Sequence, residues 1–313
     1  IFGSNMHVIN ETKNMLKSHF DMKDLGEANF ILGMKITKTC DGIYLDQSHY
    51  VEKILRKYNF HDHKSVATPF DSSVHLFPVN NDNEIFNQKD YASIIGSLRY
   101  ATDCTRPDIA YAVGVLSRFT SKPSKDHWLA IERVMKYLIG TKNYGLFYKK
   151  YPAVIEAFSD ADWNTLSGDS LSTTGYIFTL GSGAICWKSK KQTIIANSTM
   201  EAELIALASA SEEANWLRDL LYEIPLWEKP IPPILIHCDS TAAIGRVKNR
   251  YYNGKSRPIR RKHSTVRSYL SSGIITVDYI KSNDNLADPF TKALAKDRVW
   301  NTSRGMGLKS IES

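Results

Sequence analysis

No run of eighteen or more apolar residues occurs anywhere in these 313 residues, so no segment qualifies as a membrane-spanning helix. Cysteine is scarce: Cys40, Cys104, Cys186 and Cys238 stand far apart, without the paired spacing of a zinc site. They are expected to be reduced, buried and structural. Internal repeats are absent and no signal peptide is legible at the start. What remains is an ordinary balance, 42% hydrophobic and 23% charged, long enough for about two soluble domains.

The most informative absence is one of charge. Between Ser240 and Val277 there is no acidic residue, whereas Arg246, Lys248, Arg250, Lys255, Arg257, Arg260, Arg261, Lys262 and Arg267 carry nine positive charges, more than the net +7 of the chain. A charge run is usually only a solvated surface, and a basic chain need not bind nucleic acid. This one includes Tyr251 and Tyr252, so phosphate contact with aromatic stacking is a reading of equal standing.

Periodicity divides the chain. Residues 6–20 carry an apolar stripe at helical spacing, two short strands flank the turn Cys40-Asp41-Gly42, and Ser48 opens a helix that runs to about Tyr58. Residues 65–88 are polar and rich in breakers, including Pro69, Pro78 and Asn80-Asn81-Asp82-Asn83, which predicts an exposed linker. Helical pattern returns at 91–100, 107–119 and 125–139, a small bundle, before a strand at 144–149. From 151 the pattern predicts strands at 153–159, 172–180 and 183–189, a helix at 199–223, a strand at 233–238, helices at 240–248 and 263–272, a strand at 274–280 and a helix at 287–295. Three strands followed by alternating elements indicate an α/β fold with a mixed sheet and flanking helices.

Four acids fall at strand ends or helix starts in this last region: Asp160, Glu201, Asp239 and Asp288. Each alone reads equally well as a helix cap or a partner of a helix dipole. Together they suit a different chemistry, because two Mg²⁺ ions about 4 Å apart can clamp the attacking and leaving oxygens of a phosphodiester. Hard cations take carboxylate oxygens, and four clustered carboxylates repel one another until the ions bind. Asp162 and Glu203 lie two residues beyond proposed ligands, where a strand or helix turns the side chain elsewhere, and rank as second choices.

Phe158-Ser159-Asp160-Ala161-Asp162-Trp163, Ser198-Thr199-Met200-Glu201-Ala202-Glu203, Cys238-Asp239-Ser240-Thr241-Ala242-Ala243 and Leu286-Ala287-Asp288-Pro289-Phe290-Thr291-Lys292 occur in that order. These blocks resemble the ribonuclease H domain of copia-type LTR retrotransposon Pol polyproteins. Tyr91 to Leu98, Thr105-Arg106-Pro107-Asp108-Ile109-Ala110 and Trp128 to Thr141 are similar to the same family's connecting region and read as structural. Ile1-Phe2-Gly3-Ser4 resembles the stretch just after the polymerase's Tyr-Val-Asp-Asp motif. The resemblance implies a C-terminal piece of a longer polyprotein: the end of the reverse-transcriptase palm and thumb at 1–64, a linker and helical connection at 65–150, a ribonuclease H-like domain with a mixed five-stranded sheet at 151–295, and a tail at 296–313. It further implies that Asp160, Glu201, Asp239 and Asp288 hold two Mg²⁺ ions, with Mn²⁺ a substitute, and hydrolyse the RNA strand of an RNA–DNA hybrid. DNA synthesis is not expected, because the polymerase aspartates lie outside the chain. Expected partners are the hybrid and the polymerase palm and fingers, with no membrane; oligomeric state is open. Family likeness places the work in cytoplasmic virus-like particles, with a possible nuclear stage.

Two departures from the family pattern affect the site. Pro289 follows Asp288 directly; proline is well tolerated at the first helical position, which would leave Asp288 as a non-helical cap pointing into the site. The basic stretch 248–263 carries an apparent insertion, Pro258-Ile259-Arg260-Arg261. Arg257, Arg260, Arg261, Lys262, His263 and Arg267 are the candidate nucleic-acid contacts, with His263 read as positional or substrate-contacting rather than as a proton shuttle. The competing readings are a non-cutting nucleic-acid-binding remnant and a structural support for a separate polymerase.

Overall fold

The computed structural model describes residues 6–79, 85–149, 152–163, 171–225, 227–252, 254 and 256–311; Ile1 to Ser4, Asn80 to Asn83 and Lys255 lie outside them. The first half comprises α1 (Met6–His19), β1 (Phe30–Ile31), β2 (Met34–Lys38), β3 (Gly42–Asp46), α2 (Ser48–Lys57), α3 (Gln88–Cys104), α4 (Ala110–Leu116), α5 (Lys125–Gly140) and β4 (Tyr144–Lys149). The second comprises β5 (Ile155–Asp162), β6 (Thr173–Leu180), β7 (Gly183–Lys191), α6 (Thr199–Glu223), β8 (Ile234–Cys238), α7 (Thr241–Lys248), α8 (Arg257–Ser271), β9 (Ile275–Tyr279), α9 (Lys296–Gly305) and β10 (Leu308–Ser310).

The helical connection forms because its apolar residues recur at i, i+3, i+4 and i+7. Tyr91, Ile94, Ile95 and Leu98 of α3 and Ile131, Val134, Met135 and Leu138 of α5 make two such stripes, which meet in one buried core with α2 and α4. Ser124 starts α5 through a reciprocal cap with His127. Residues 65–79, expected to be an exposed linker, have no regular structure yet insert Phe70 and Leu76 into this core.

Two sheets flank the helices. The first is antiparallel, in the order β1-β2-β3-β4-β10. A cross-strand row of aliphatic residues, Ile36 opposite Leu45, Leu45 opposite Leu146 and Leu146 opposite Leu308, fixes its register. Its last strand comes from residues expected to be a tail: 296–310 instead form α9 and β10. A three-residue strand is too short to announce itself by periodicity, so only the pairing with β4 defines it.

The second sheet runs β7-β6-β5-β8-β9, with β5, β6 and β7 antiparallel and β5, β8 and β9 parallel. This is the mixed five-stranded sheet with flanking helices that the α/β pattern predicted. Alternation sends Ala157, Tyr176 and Phe178 into the core under α6 and α8, and Phe158 and Ile177 into a second core with Ala287, Phe290, Met306 and Leu308. Both faces of the central strand β5 therefore pack into a core, while outer strands such as β9 keep exposed residues, Thr276 and Asp278 among them.

Two helices differ from expectation. Helix α8 begins at Arg257, not 263, because Ile259, His263 and Val266 share its buried face and Pro258 fits within its first turn. The helix expected at 287–295 reduces to a single 3-10 turn over Asp288–Phe290. All four cysteines are free, but only Cys238 is buried; Cys40 is exposed and Cys104 and Cys186 are half-buried.

The Thr105–Ala110 block has a clear structural role. The guanidinium of Arg106, fully buried, donates to both carboxylate oxygens of Asp108 (3.0 and 2.7 Å) and to the Thr141 carbonyl (3.1 Å) and hydroxyl (2.7 Å). Tyr137 Oη donates to Asp108 as well, at 2.8 Å. Removing the carboxylate would strand a buried cation, so Asp108→Ala should lower unfolding stability in urea by about 3–5 kcal/mol. A loss below about 1 kcal/mol, the scale of an exposed pair, would show that the network is solvated.

Candidate metal centre

Three of the four predicted acids converge. Asp160 lies near the end of β5, Asp239 follows β8, its parallel neighbour, and Asp288 opens the 3-10 turn; each offers a carboxylate oxygen, all within 4.8 Å of one another. Asp160 and Asp288 are buried. Pro289 stands in the turn's second position and Asp288 in its first, with its side chain kept inside the cluster. Asn285 secures that turn to β5, its amide donating to the Ser159 carbonyl (3.0 Å) while its Oδ1 accepts from Ala287 N (3.0 Å).

Gly175, opposite Asp160 on β6, makes the approach possible. A Cβ there would lie 2.7 Å from Thr291 Cγ2 and 2.8 Å from Phe290 Cβ, so a side chain would push the Asp288 turn off the sheet. The sequence reading did not single it out.

Glu201 does not join the cluster. Its Oε2 accepts from Asn197 N (2.9 Å) and its Oε1 from Tyr252 Oη (3.2 Å), while its own N donates to Ser198 Oγ (3.3 Å). It is the acidic member of the cap that starts α6. The fourth acid is Glu203, two residues on: it is buried, its Oε1 accepts from Ala161 N at 3.2 Å, and its Oε2 has no hydrogen-bond partner. Glu203, Cys238 and Asp239 form a second group with donor atoms within 4.8 Å, so Asp239 is common to both groups. The pattern Ser198-x-x-Glu201 before an apolar run is itself a capping signature and could have assigned these two glutamates correctly.

The electrostatics are those of crowded anions. Burial pushes Asp160 up to about 6, with Lys292 opposing and Asp288 and Asp239 adding to the rise. Burial and then the charges of Asp160 and Asp239 hold Glu203 well above the usual carboxylate range. One compensating cation is Lys292, whose Nζ lies 3.1 Å from Asp288 Oδ1 and 3.6 Å from Asp160 Oδ2. Burial disfavours its charge, yet these two acids raise its pKa above the ordinary lysine value. An orphaned buried carboxylate oxygen beside three more acids suits a hard divalent cation. Cys238 is a poor donor for such an ion, since burial keeps its thiol protonated.

Comparison with known proteins bears on the whole chain. The reverse transcriptase (RNA-dependent DNA polymerase) family matches residues 1–72. The Retrovirus-related Pol polyprotein from transposon TNT 1-94 of Nicotiana tabacum is 36% identical over 317 residues, covering 99% of this chain and 24% of its own length. A putative transposon Ty5-1 protein of Saccharomyces cerevisiae is 30% identical over 209 residues, 66% of this chain and 68% of that protein. The chain belongs to the family of the Ty5-1 transposon protein. It spans about a quarter of the length of the tobacco polyprotein. A solved ribonuclease H1 isolated from compost superposes on 45% of this chain at 17% identity, with a TM-score of 0.35.

Among the described residues of the basic run, Lys248, Arg250, Arg257, Arg260 and Arg261 are exposed and Arg246, Lys262 and Arg267 are half-buried. Arg257, Arg260 and Arg261 are exposed and line an open depression with Ser264 and Thr265. Lys262 is paired with Glu212 at 2.8 Å, and Arg267 donates to the Lys248 carbonyl at the end of α7 (3.2 Å). His263 is buried with Nε2 3.0 Å from the Arg246 carbonyl, which removes it from substrate contact and from proton transfer at the acids. Tyr252 is likewise internal, under Arg246 and against His263, and only Tyr251 is exposed for stacking.

Raised carboxylates give the chain a pH signature. Between the ordinary value near 4 and about 6, folded Asp160 holds a proton that the unfolded chain releases. Its contribution to stability is therefore greatest at low pH and is lost as pH rises through that window. In chelator, the melting temperature of the unaltered chain should fall relative to Asp160→Asn between pH 4.5 and 7, and added Mg²⁺ should raise it more at pH 7.5 than at pH 5. Parallel pH curves for the two proteins would exclude this account.

Proposed function

We propose that residues 151–295 are a metal-dependent endonuclease that hydrolyses the RNA strand of RNA–DNA hybrids, the ribonuclease H of a transposon Pol polyprotein. The observation that carries the reading is the convergence of Asp160, Asp239 and Asp288, with Glu203 beside Asp239, at the open ends of a mixed sheet. Asp160, Glu203, Asp239 and Asp288 would hold two Mg²⁺ ions, or Mn²⁺ in their place, and Asp239, common to both groups, is the natural bridge. Bound there, the ions would activate a water and neutralise charge on the leaving oxygen.

The remaining work falls to the chain. Asn285 and Gly175 hold the Asp288 turn against β5 and β6, and the Glu201 cap holds the start of α6 so that Glu203 is aimed at the cluster. Lys292 offsets the acid charge and, with its side chain 39% exposed, is free to swing away when a cation or phosphate arrives. Arg257, Arg260 and Arg261 would bind the hybrid's backbone. Selection of hybrid over other duplexes would rest on helix shape and the 2′-hydroxyl. Residues 1–64 would continue the polymerase and 65–150 connect it to the nuclease.

The test is cleavage of a labelled hybrid with Mg²⁺ and with chelator. Glu203→Gln and Asp239→Asn should each cost about a hundredfold or more, the scale of removing one charge-stabilising group. Glu201→Gln, whose side-chain oxygen still accepts from Asn197 N, should keep cleaving with little change in stability. Loss of cutting in Glu201→Gln with retention in Glu203→Gln would reverse the assignment, and tight binding without cutting by any of the proteins would replace the enzyme with a binding module.

Salt dependence separates the basic helix from the site. Arg260→Ala together with Arg261→Ala should weaken hybrid binding and reduce the slope of log affinity against log salt by about 1–2. An unchanged slope would make that face of α8 a passive one.

A further inference from the structure

The acids are held in place by a side chain that does not come from the nuclease sheet or its helices. Arg298 lies on α9, in the segment between the nuclease and β10. Its Nη2 pairs with Asp288 Oδ2 and also donates to the Ser282 carbonyl at 2.9 Å, while Nη1 donates to the carbonyl of Asn283 and lies 3.3 Å from its Oδ1. Ser282 Oγ in turn donates to Asp239 Oδ2 at 2.6 Å. One guanidinium thus grips Asp288 directly and Asp239 through the 282–284 turn.

The division of oxygens is consistent with support from outside the site. Arg298 takes Asp288 Oδ2, whereas Oδ1 faces Lys292, which also lies beside Asp160. Arg298 itself is firmly based. Val299 packs in the core of the helical connection, Met306 and Leu308 fill the core between the two sheets, and β10 pairs with β4.

We propose that Arg298 is a positioning residue for the metal centre, supplied by the C-terminal segment, which sets the spacing of Asp239 and Asp288 and makes metal binding depend on the docking of α9 and β10. The proposal rests on the reading of the acids as a metal site. Groups that orient metal ligands from outside typically change affinity about 10–100-fold when removed. A guanidinium that spans Asp288 and two turn residues has a fork geometry that an ammonium lacks.

The test uses the full chain, with Mn²⁺ binding followed by calorimetry, hybrid cleavage followed against Mg²⁺ concentration, and melting in chelator to establish folding. Arg298→Ala should raise the Mn²⁺ midpoint about 10–100-fold and shift the Mg²⁺ activation curve in parallel, leaving the KM for hybrid unchanged at saturating metal. Arg298→Lys should recover only part of the loss, and Ser282→Ala, which frees Asp239 alone, should show a smaller shift in the same direction. The sign is diagnostic: a cation acting only as a counter-charge would repel the metal, so its removal would tighten binding. Tighter or unchanged Mn²⁺ binding in folded Arg298→Ala overturns the proposal. If that variant is unfolded, unchanged isotherms for Arg298→Lys and Ser282→Ala overturn it instead. Metal binding without hybrid cleavage by the unaltered chain would overturn the nuclease reading while the isotherms still decide the role of Arg298; no metal binding at all would overturn both.

Discussion

Three carboxylates within 4.8 Å of one another, with a fourth, Glu203, as close to one of them and most of the set out of water, are the constraint around which the second half of this chain is organised. Like charges at that distance in a poorly solvated setting favour protonation or separation, and the fold resists both. It does so with rigid placement: two parallel strands, β5 and β8, deliver Asp160 and Asp239 side by side, a capped helix delivers Glu203 from one face, and a pinned turn delivers Asp288 from the other. Lys292 and Arg298 supply the positive charge that makes the arrangement tolerable without metal.

Covering both faces of the sheet leads to the same site. The faces pack into separate cores, one under α6 and α8 and one shared with the C-terminal segment, and the acids collect where β5 and β8 end. The second core also joins the mixed sheet to the antiparallel sheet through Leu146, Met306 and Leu308. A chain that looked like a nuclease with a trailing tail is therefore closed by its own last residues, which return to the sheet formed by its first.

Much of this was legible beforehand because it is local. Helix α6 was expected at its observed bounds, and the strands from β5 to β9 within about three residues, since β alternation and helical stripes are written in consecutive side chains. Asp160, Asp239 and Asp288 stood out as acids at element ends. The errors share a cause: they concern which way a side chain points or what a segment touches. Glu201 and Glu203 differ by two positions on one helix, about 200° of rotation, and only the packing of α6 on β5 shows which of them faces the acids. His263 and Tyr252 looked available within a basic run, and their burial follows from the way α8 lies across α6 and α7.

The amino-acid sequence by itself determined most of the elements, the mixed α/β class, the order of the acidic blocks and the acid-free basic stretch, because these depend on residues near one another in the chain. Tertiary structure alone decided the fourth ligand candidate, which members of the basic run are exposed and which are tied up, the glycine that lets the Asp288 turn approach, and the grip of Arg298 on two acids. Each is a contact between segments far apart in sequence, and its geometry is set by how whole elements pack, which no local pattern encodes.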